Sequence, residues 1–85
     1  LGFRKETPRE SVVTLEYFNQ QAPLIGRQGN KAFAAEILRE ARRYGVPVVL
    51  DTKLVESLGQ LQPDTEIPEE LYEPVAKYML KLRLI

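Results

Sequence analysis

The chain has no cysteine and no histidine among its 85 residues. Disulfides, thiol nucleophiles, imidazole bases and the usual zinc ligands are therefore missing, and most hydrolytic and redox chemistries fall with them. An excess of charge is missing as well: 12 Lys and Arg stand against 12 Asp and Glu, which leaves no long-range field to hold a polyanion or an anionic bilayer. No apolar run approaches the ~18 residues that span a membrane, and no basic-then-apolar leader precedes a cleavage-like site. The expectation is a soluble, cytoplasmic chain. Leu1 is not a methionine, as is usual in a fragment or a processed chain. A chain of this length buries only ~60–65% of the surface that it exposes unfolded, so one compact core must suffice.

Residues 1–10, LGFRKETPRE, show neither helical nor strand periodicity, and the reading is a flexible N-terminal arm anchored only by Phe3. Residues 11–85 form the folded domain. SVVTLEYF, residues 11–18, is rich in β-branched and aromatic side chains and alternates as a strand does. Asn19-Gln20-Gln21 reads as a polar turn, and Ala22-Pro23-Leu24-Ile25-Gly26 as a second extended run. Pro23 cannot donate to a ladder, which assigns that run to a sheet edge. Arg27-Gln28-Gly29 reads as a loop, with Asn30 as helix N-cap.

A first helix is predicted over 31–44, with Phe33, Ala34, Ile37, Leu38, Ala41 and Tyr44 on one arc and Glu36, Arg39, Glu40, Arg42 and Arg43 on the other. Gly45 suits the left-handed residue after a helix. Val46-Pro47-Val48-Val49-Leu50 has the composition of a strand covered on both faces, and the helix before it makes Ile25 and Val48 neighbours in parallel strands. Asp51 or Thr52 caps a second helix carrying Leu54, Val55 and Leu58 inward. A last helix starts at Pro68, with Tyr72, Val75, Met79 and Leu82 as its apolar face and Glu73–Lys77 as an exposed pair. Pro74 inside it calls for a kink or a tightened first turn. The fold class is α/β: a small mixed sheet of three to four strands packed with three helices in a single domain.

The arginines of the first helix share their face with Glu36 and Glu40, which makes them a solvated surface rather than a nucleic-acid stripe. Glu69, Glu70 and Glu73 occupy first turns, where the helix dipole favours negative charge. An enzyme built on Glu16, Glu69 and Tyr72 would have no nucleophile with an adjacent base and no metal cage. Met79 is at core spacing, as a gap-filling methionine is. Residues and spacing alone yield a small α/β domain with no evident catalytic machinery.

An ordered set of segments carries more: VVTLEY, an Ala-Pro pair, ARRYGVPVV, DTKLVESL and EIPEELYEPVAKYML. Over residues 8–82 this resembles the C-terminal cytoplasmic domain of the FlhB and SpaS/EscU export-switch proteins of flagellar and virulence type III secretion. In that family an Asn-Pro-Thr-His motif precedes the first strand, and the chain cuts itself between Asn and Pro. The ungapped equivalent here is Thr7-Pro8-Arg9-Glu10. An asparagine amide nitrogen reaches its own carbonyl through a five-membered ring and expels the proline nitrogen, whereas a threonine hydroxyl would need a strained four-membered ring. No self-cleavage is expected, so the chain is neither an enzyme of this kind nor the fragment that such a cut releases. The resemblance implies a stand-alone, non-cleaving export-switch domain or a piece of a full-length membrane export protein, with a generic interaction domain as the bland alternative. It further implies a place at the cytoplasmic face of the inner-membrane export apparatus. The implied partners are the export-gate cytosolic domain and export substrates such as rod and hook subunits, bound by a monomer. Cofactor, metal, nucleic acid and small-molecule substrate have no place in this reading. The family's apolar substrate-recognition patch maps onto Ala22 and Pro23 and, more loosely, onto Ala76 and Met79. The loop before Ala22 is shorter than the family's, and Pro74 replaces a helix-friendly residue.

Overall fold

Phe3, fully buried, draws the N-terminal segment into the middle of the sheet. In the computed structural model, which describes residues 1–17 and 21–85, four strands run in the order β3-β2-β1-β4. They are β1 (Gly2–Lys5), β2 (Ser11–Glu16), β3 (Leu24–Asn30) and β4 (Val48–Leu50). β1 pairs antiparallel with β2, with Phe3 opposite Val13, and parallel with β4, with Phe3 beside Val49. β2 pairs antiparallel with β3 across a register shift between Val13 and Leu15. The expectation of a loosely docked arm over residues 1–10 is thereby corrected. Four residues with one large apolar side chain are too few to show a period, but burial of Phe3 and pairing on both sides fix them as a central strand.

Helix α1 (Ala32–Arg43) packs Ala34 and Ile37 on Val12, on one sheet face. Helices α2 (Thr52–Leu58) and α3 (Tyr72–Lys81) cover the other. There Leu54, Val55, Leu58, Val75 and Met79 enclose Phe3, Val13, Leu15, Ile25 and Ile67 in the main core. Among the described residues no helix is long and apolar enough to cross a membrane.

Several boundaries move from the sequence reading. The first strand ends at Glu16, and Phe18 and the Asn19–Gln20 part of the predicted turn lie outside the described residues. Arg27-Gln28-Gly29, read as a loop, continues β3; Asn30 ends that strand and Lys31 takes the N-cap position with φ 52° and no side-chain cap. Phe33 and Tyr44 sit at the margins of the apolar arc and are 67% and 69% exposed, because α1 covers only the β2 and β3 side of its face. Ile25 and Val48 lie in strands at opposite edges of the sheet, so the parallel partner of β4 is β1, and β4 is an edge strand with Leu50 exposed rather than a strand covered on both faces.

Other local rules hold. Gly45, at φ 70°, turns the chain out of α1 while the Val46 amide donates to the Ala41 carbonyl at 2.8 Å, the bond that closes such ends. Asp51 caps α2 by accepting from the Leu54 amide at 3.0 Å. Pro68 caps a tight 3-10 turn, Glu69–Leu71, rather than opening the helix itself. α3 starts only at Tyr72, which puts Pro74 in its first turn, where an amide has no partner within the helix to lose.

Candidate functional site

The four residues of the expected patch meet on one surface. Ala22 and Pro23, just before β3, face Ala76 and Met79 of α3 across an apolar groove of about 380 Å³. Gln21, Ile67, Tyr72 and Val75 complete its lining. The geometry follows from backbone bonds around the start of β3. The Ile67 amide donates to the Pro23 carbonyl at 3.0 Å, the Ile25 amide to the Thr65 carbonyl at 2.8 Å, and the Asp64 amide to the Ile25 carbonyl at 2.7 Å. This clip covers the start of β3's outer edge and delivers the chain through the Glu69–Leu71 turn into α3, so two segments some fifty residues apart line one groove.

The groove walls are unequal in burial. Val75 and Met79 are buried in the main core while still lining the groove, so Met79 is both the expected gap-filler and part of the surface. Pro23 is buried; Ala22 and Ala76 are half-buried, and Tyr72 is 42% exposed. Pro23 and Met79 also border a second depression of about 260 Å³ with Leu1, Leu15, Tyr17 and Leu84. Sequence reasoning assigned Tyr72 and Val75 only to the apolar face of the helix. Their spacing from Ala76 and Met79 was the signal that they share the groove. Ile67, Leu1 and Leu84 gave no such signal, because their positions depend on the clip and on β1. Glu16 and Glu69 line neither depression beside Tyr72, so the alternative constellation of Glu16, Glu69 and Tyr72 is not assembled there.

α3 is locked from behind. Asp51 caps α2 with one carboxylate oxygen and with the other accepts the Tyr78 hydroxyl at 2.7 Å. That hydrogen bond, with burial and the nearby negative charge adding to it, raises the Tyr78 pKa above its usual value. The Tyr78 ring packs against Phe3 with centroids 5.2 Å apart. The helix that carries Ala76 and Met79 is thus tied to both α2 and the central strand.

Thr7, Pro8, Arg9 and Glu10 lie in the connection between β1 and β2, with Thr7, Pro8 and Arg9 exposed and Glu10 half-buried. The Glu10 carboxylate does not stand free. It accepts from Arg4 Nε at 3.1 Å and Arg4 Nη2 at 2.8 Å, and these hydrogen bonds are the leading cause of a raised Arg4 pKa. The pair closes the base of the turn, and Glu6 adds a weaker contact to the same guanidinium at 3.3 Å.

Comparisons with known proteins agree with this architecture. The uncharacterized protein YlqH of Bacillus subtilis (strain 168) is 40% identical over 76 residues, 87% of this chain and 82% of YlqH. A crystal structure of the EscU C-terminal domain with an Asn-to-Asp mutation superposes with a TM-score of 0.82 at 28% identity, covering 93% of this chain and 75% of that one. The same domain with a His-to-Ala mutation gives 0.80 at 30% identity, covering 87% and 93%. The model of the FlhB HrpN YscU SpaS family matches residues 7–82, and the chain therefore belongs to that family of type III secretion export-switch domains.

Proposed function

We propose that this domain is a non-cleaving export switch that binds apolar recognition segments of export substrates, or the cytosolic part of the export gate, in the groove between Ala22-Pro23 and α3. The observation that carries the reading is the convergence of Ala22, Pro23, Ala76 and Met79 on one apolar groove. Such a groove, with a buried floor and small side chains at its rim, suits an apolar peptide segment rather than a polar metabolite. The turn at Thr7-Pro8-Arg9-Glu10 supports the non-cleaving part. Its side chain before the proline is a hydroxyl, and the Glu10 carboxylate is committed to Arg4. The domain works as a docking module at the cytoplasmic side of the export apparatus, without cofactor or catalysis.

The test uses Ala22→Glu and Ala76→Glu, because both positions are half-buried and a carboxylate there can reach water, whereas Pro23 is buried. In a pull-down from a native lysate, the wild-type domain should recover the export-gate cytosolic domain or rod and hook subunits, identified by mass spectrometry. Each variant should lose them while melting within a few degrees of wild type. Equal recovery by both variants would remove the groove from the proposal.

A further inference from the structure

The sheet has two edges. The outer side of β3 is occupied at its start by the clip at Thr65 and Ile67. On the far side, β4 bonds to β1 through alternate residues: the Pro47 carbonyl accepts from the Gly2 amide and the Asp51 amide donates to the Arg4 carbonyl, both at 2.9 Å. With Gly2 beside Val48 and Arg4 beside Leu50, the parallel ladder then uses Val49, so the amides and carbonyls of Val48 and Leu50 point outward. Such a row is a template for one more strand.

Its surroundings are apolar at the centre and carry cations at both ends, with Asp51 at the C-terminal end already engaged by the Leu54 amide and the Tyr78 hydroxyl. Leu50 is 57% exposed and Val46 and Tyr44 are exposed beside it. Arg42 and Arg43 end α1 just before the strand, and Lys53 opens α2 just after it, all three exposed. Among the described residues no salt bridge reaches any of them. A second copy is a poor occupant. Antiparallel pairing about Val49 would set the Arg42–Arg43 end of one strand against the Lys53 end of the other, like charge facing like charge at both ends.

We infer that β4 is a second docking edge, separate from the groove, which accepts by strand addition an extended segment of a partner protein that is apolar at alternate central positions and acidic on both flanks. Main-chain bonds to Val48 and Leu50 supply the pairing, Leu50 and Val46 the apolar contact, and the three cations the choice of partner.

The probe is a blocked synthetic peptide, Asp-Glu-Val-Thr-Val-Thr-Val-Glu-Asp, titrated into the ¹⁵N-labelled domain. The Val48 and Leu50 amides should shift, and the same peptide with Lys and Arg flanks should bind about tenfold more weakly, because several attractive surface pairs become repulsive. Leu50→Pro removes an outward donor and no bond to β1, so it should abolish binding with the fold intact by circular dichroism. Should that variant not fold, the exposed triple variant Arg42→Glu, Arg43→Glu, Lys53→Glu should reverse the preference between the two peptides. Equal binding of both peptides overturns the proposal, as do shifts confined to the groove at Ala22 and Met79. So does a dimer in sedimentation that Leu50→Pro dissolves, which would assign the edge to a second copy.

Discussion

Replacing Phe3 with alanine tests whether the first residues are structure or arm. The side chain is 0% exposed, lies in the main core and pairs with the Tyr78 ring at 5.2 Å. Removing a buried phenylalanine costs about 3–5 kcal/mol, of which the aromatic pair accounts for roughly 1. An 85-residue domain has in total only about 4–13 kcal/mol of stability to lose. The melting temperature should therefore fall by roughly 12–40 °C, since about 4–8 °C accompanies each kcal/mol at this size. Urea titrations followed by circular dichroism give the free-energy change directly, and Phe3→Leu should retain more than half of what Phe3→Ala loses. A loss below about 1 kcal/mol for Phe3→Ala would refute the central-strand assignment and restore the loosely docked arm.

Thr7→Asn installs the missing amide before Pro8. Slow loss of the first seven residues in intact-mass spectra, with the wild-type mass unchanged, is the expected result, and an unchanged mass for both would show that the turn lacks more than the nucleophile. The raised Tyr78 pKa means that the folded state holds the phenol proton more tightly than the unfolded chain does. Its contribution is then complete below the unfolded value of about 10 and is lost as pH rises through the folded one. Melting temperatures across that range should fall less steeply in Asp51→Asn, which keeps the helix cap, and in Tyr78→Phe. Lys31, at φ 52° and ψ −120°, holds a conformation that favours glycine, so Lys31→Gly should raise stability by about 1 kcal/mol in the same urea assay.

The elements that the sequence disclosed are those whose signals are local. The cap at Asp51, the left-handed Gly45, the inward stripe of α2 and the tightened turn around Pro74 each depend on neighbours within a few positions. What it concealed depends on partners far along the chain. β1 carries one large apolar residue, and its strand identity comes from β2 and β4 on either side. The continuation of β3 through Gly29 reads as a loop because glycine favours turns. Yet a Cβ at Gly29 would come within 2.6 Å of the Phe33 Cβ, so the glycine admits α1 against the strand. That close approach leaves no depth for the Phe33 ring, which the 3.6-residue period alone had assigned to the core. The groove was half legible: family resemblance pointed to Ala22, Pro23, Ala76 and Met79, while the clip through Thr65 and Ile67 that brings them together has no periodicity to read.

The turn at Thr7 and the groove lie at opposite ends of the β1–β2 pair, yet one strand serves both. β1 leaves the turn at Lys5, fills the core with Phe3 beneath Tyr78 of α3, and ends at Leu1, whose carbonyl accepts from the Leu15 amide at 2.7 Å. Leu1 then lines the depression next to Pro23 and Met79. In a chain cut between residues 7 and 8, β1 would be retained only by non-covalent contacts, namely its two ladders, Phe3 in the core with Leu1 packed against it, and the Arg4–Glu10 and Lys5–Glu56 pairs, and it could leave with the wall of that depression. In an intact chain the same contacts become intramolecular, and their effective concentration keeps the strand in place through any local opening. On the function proposed above, the side chain before Pro8 would act on the depression beside the groove without touching it, by setting whether β1 is a covalent part of the sheet.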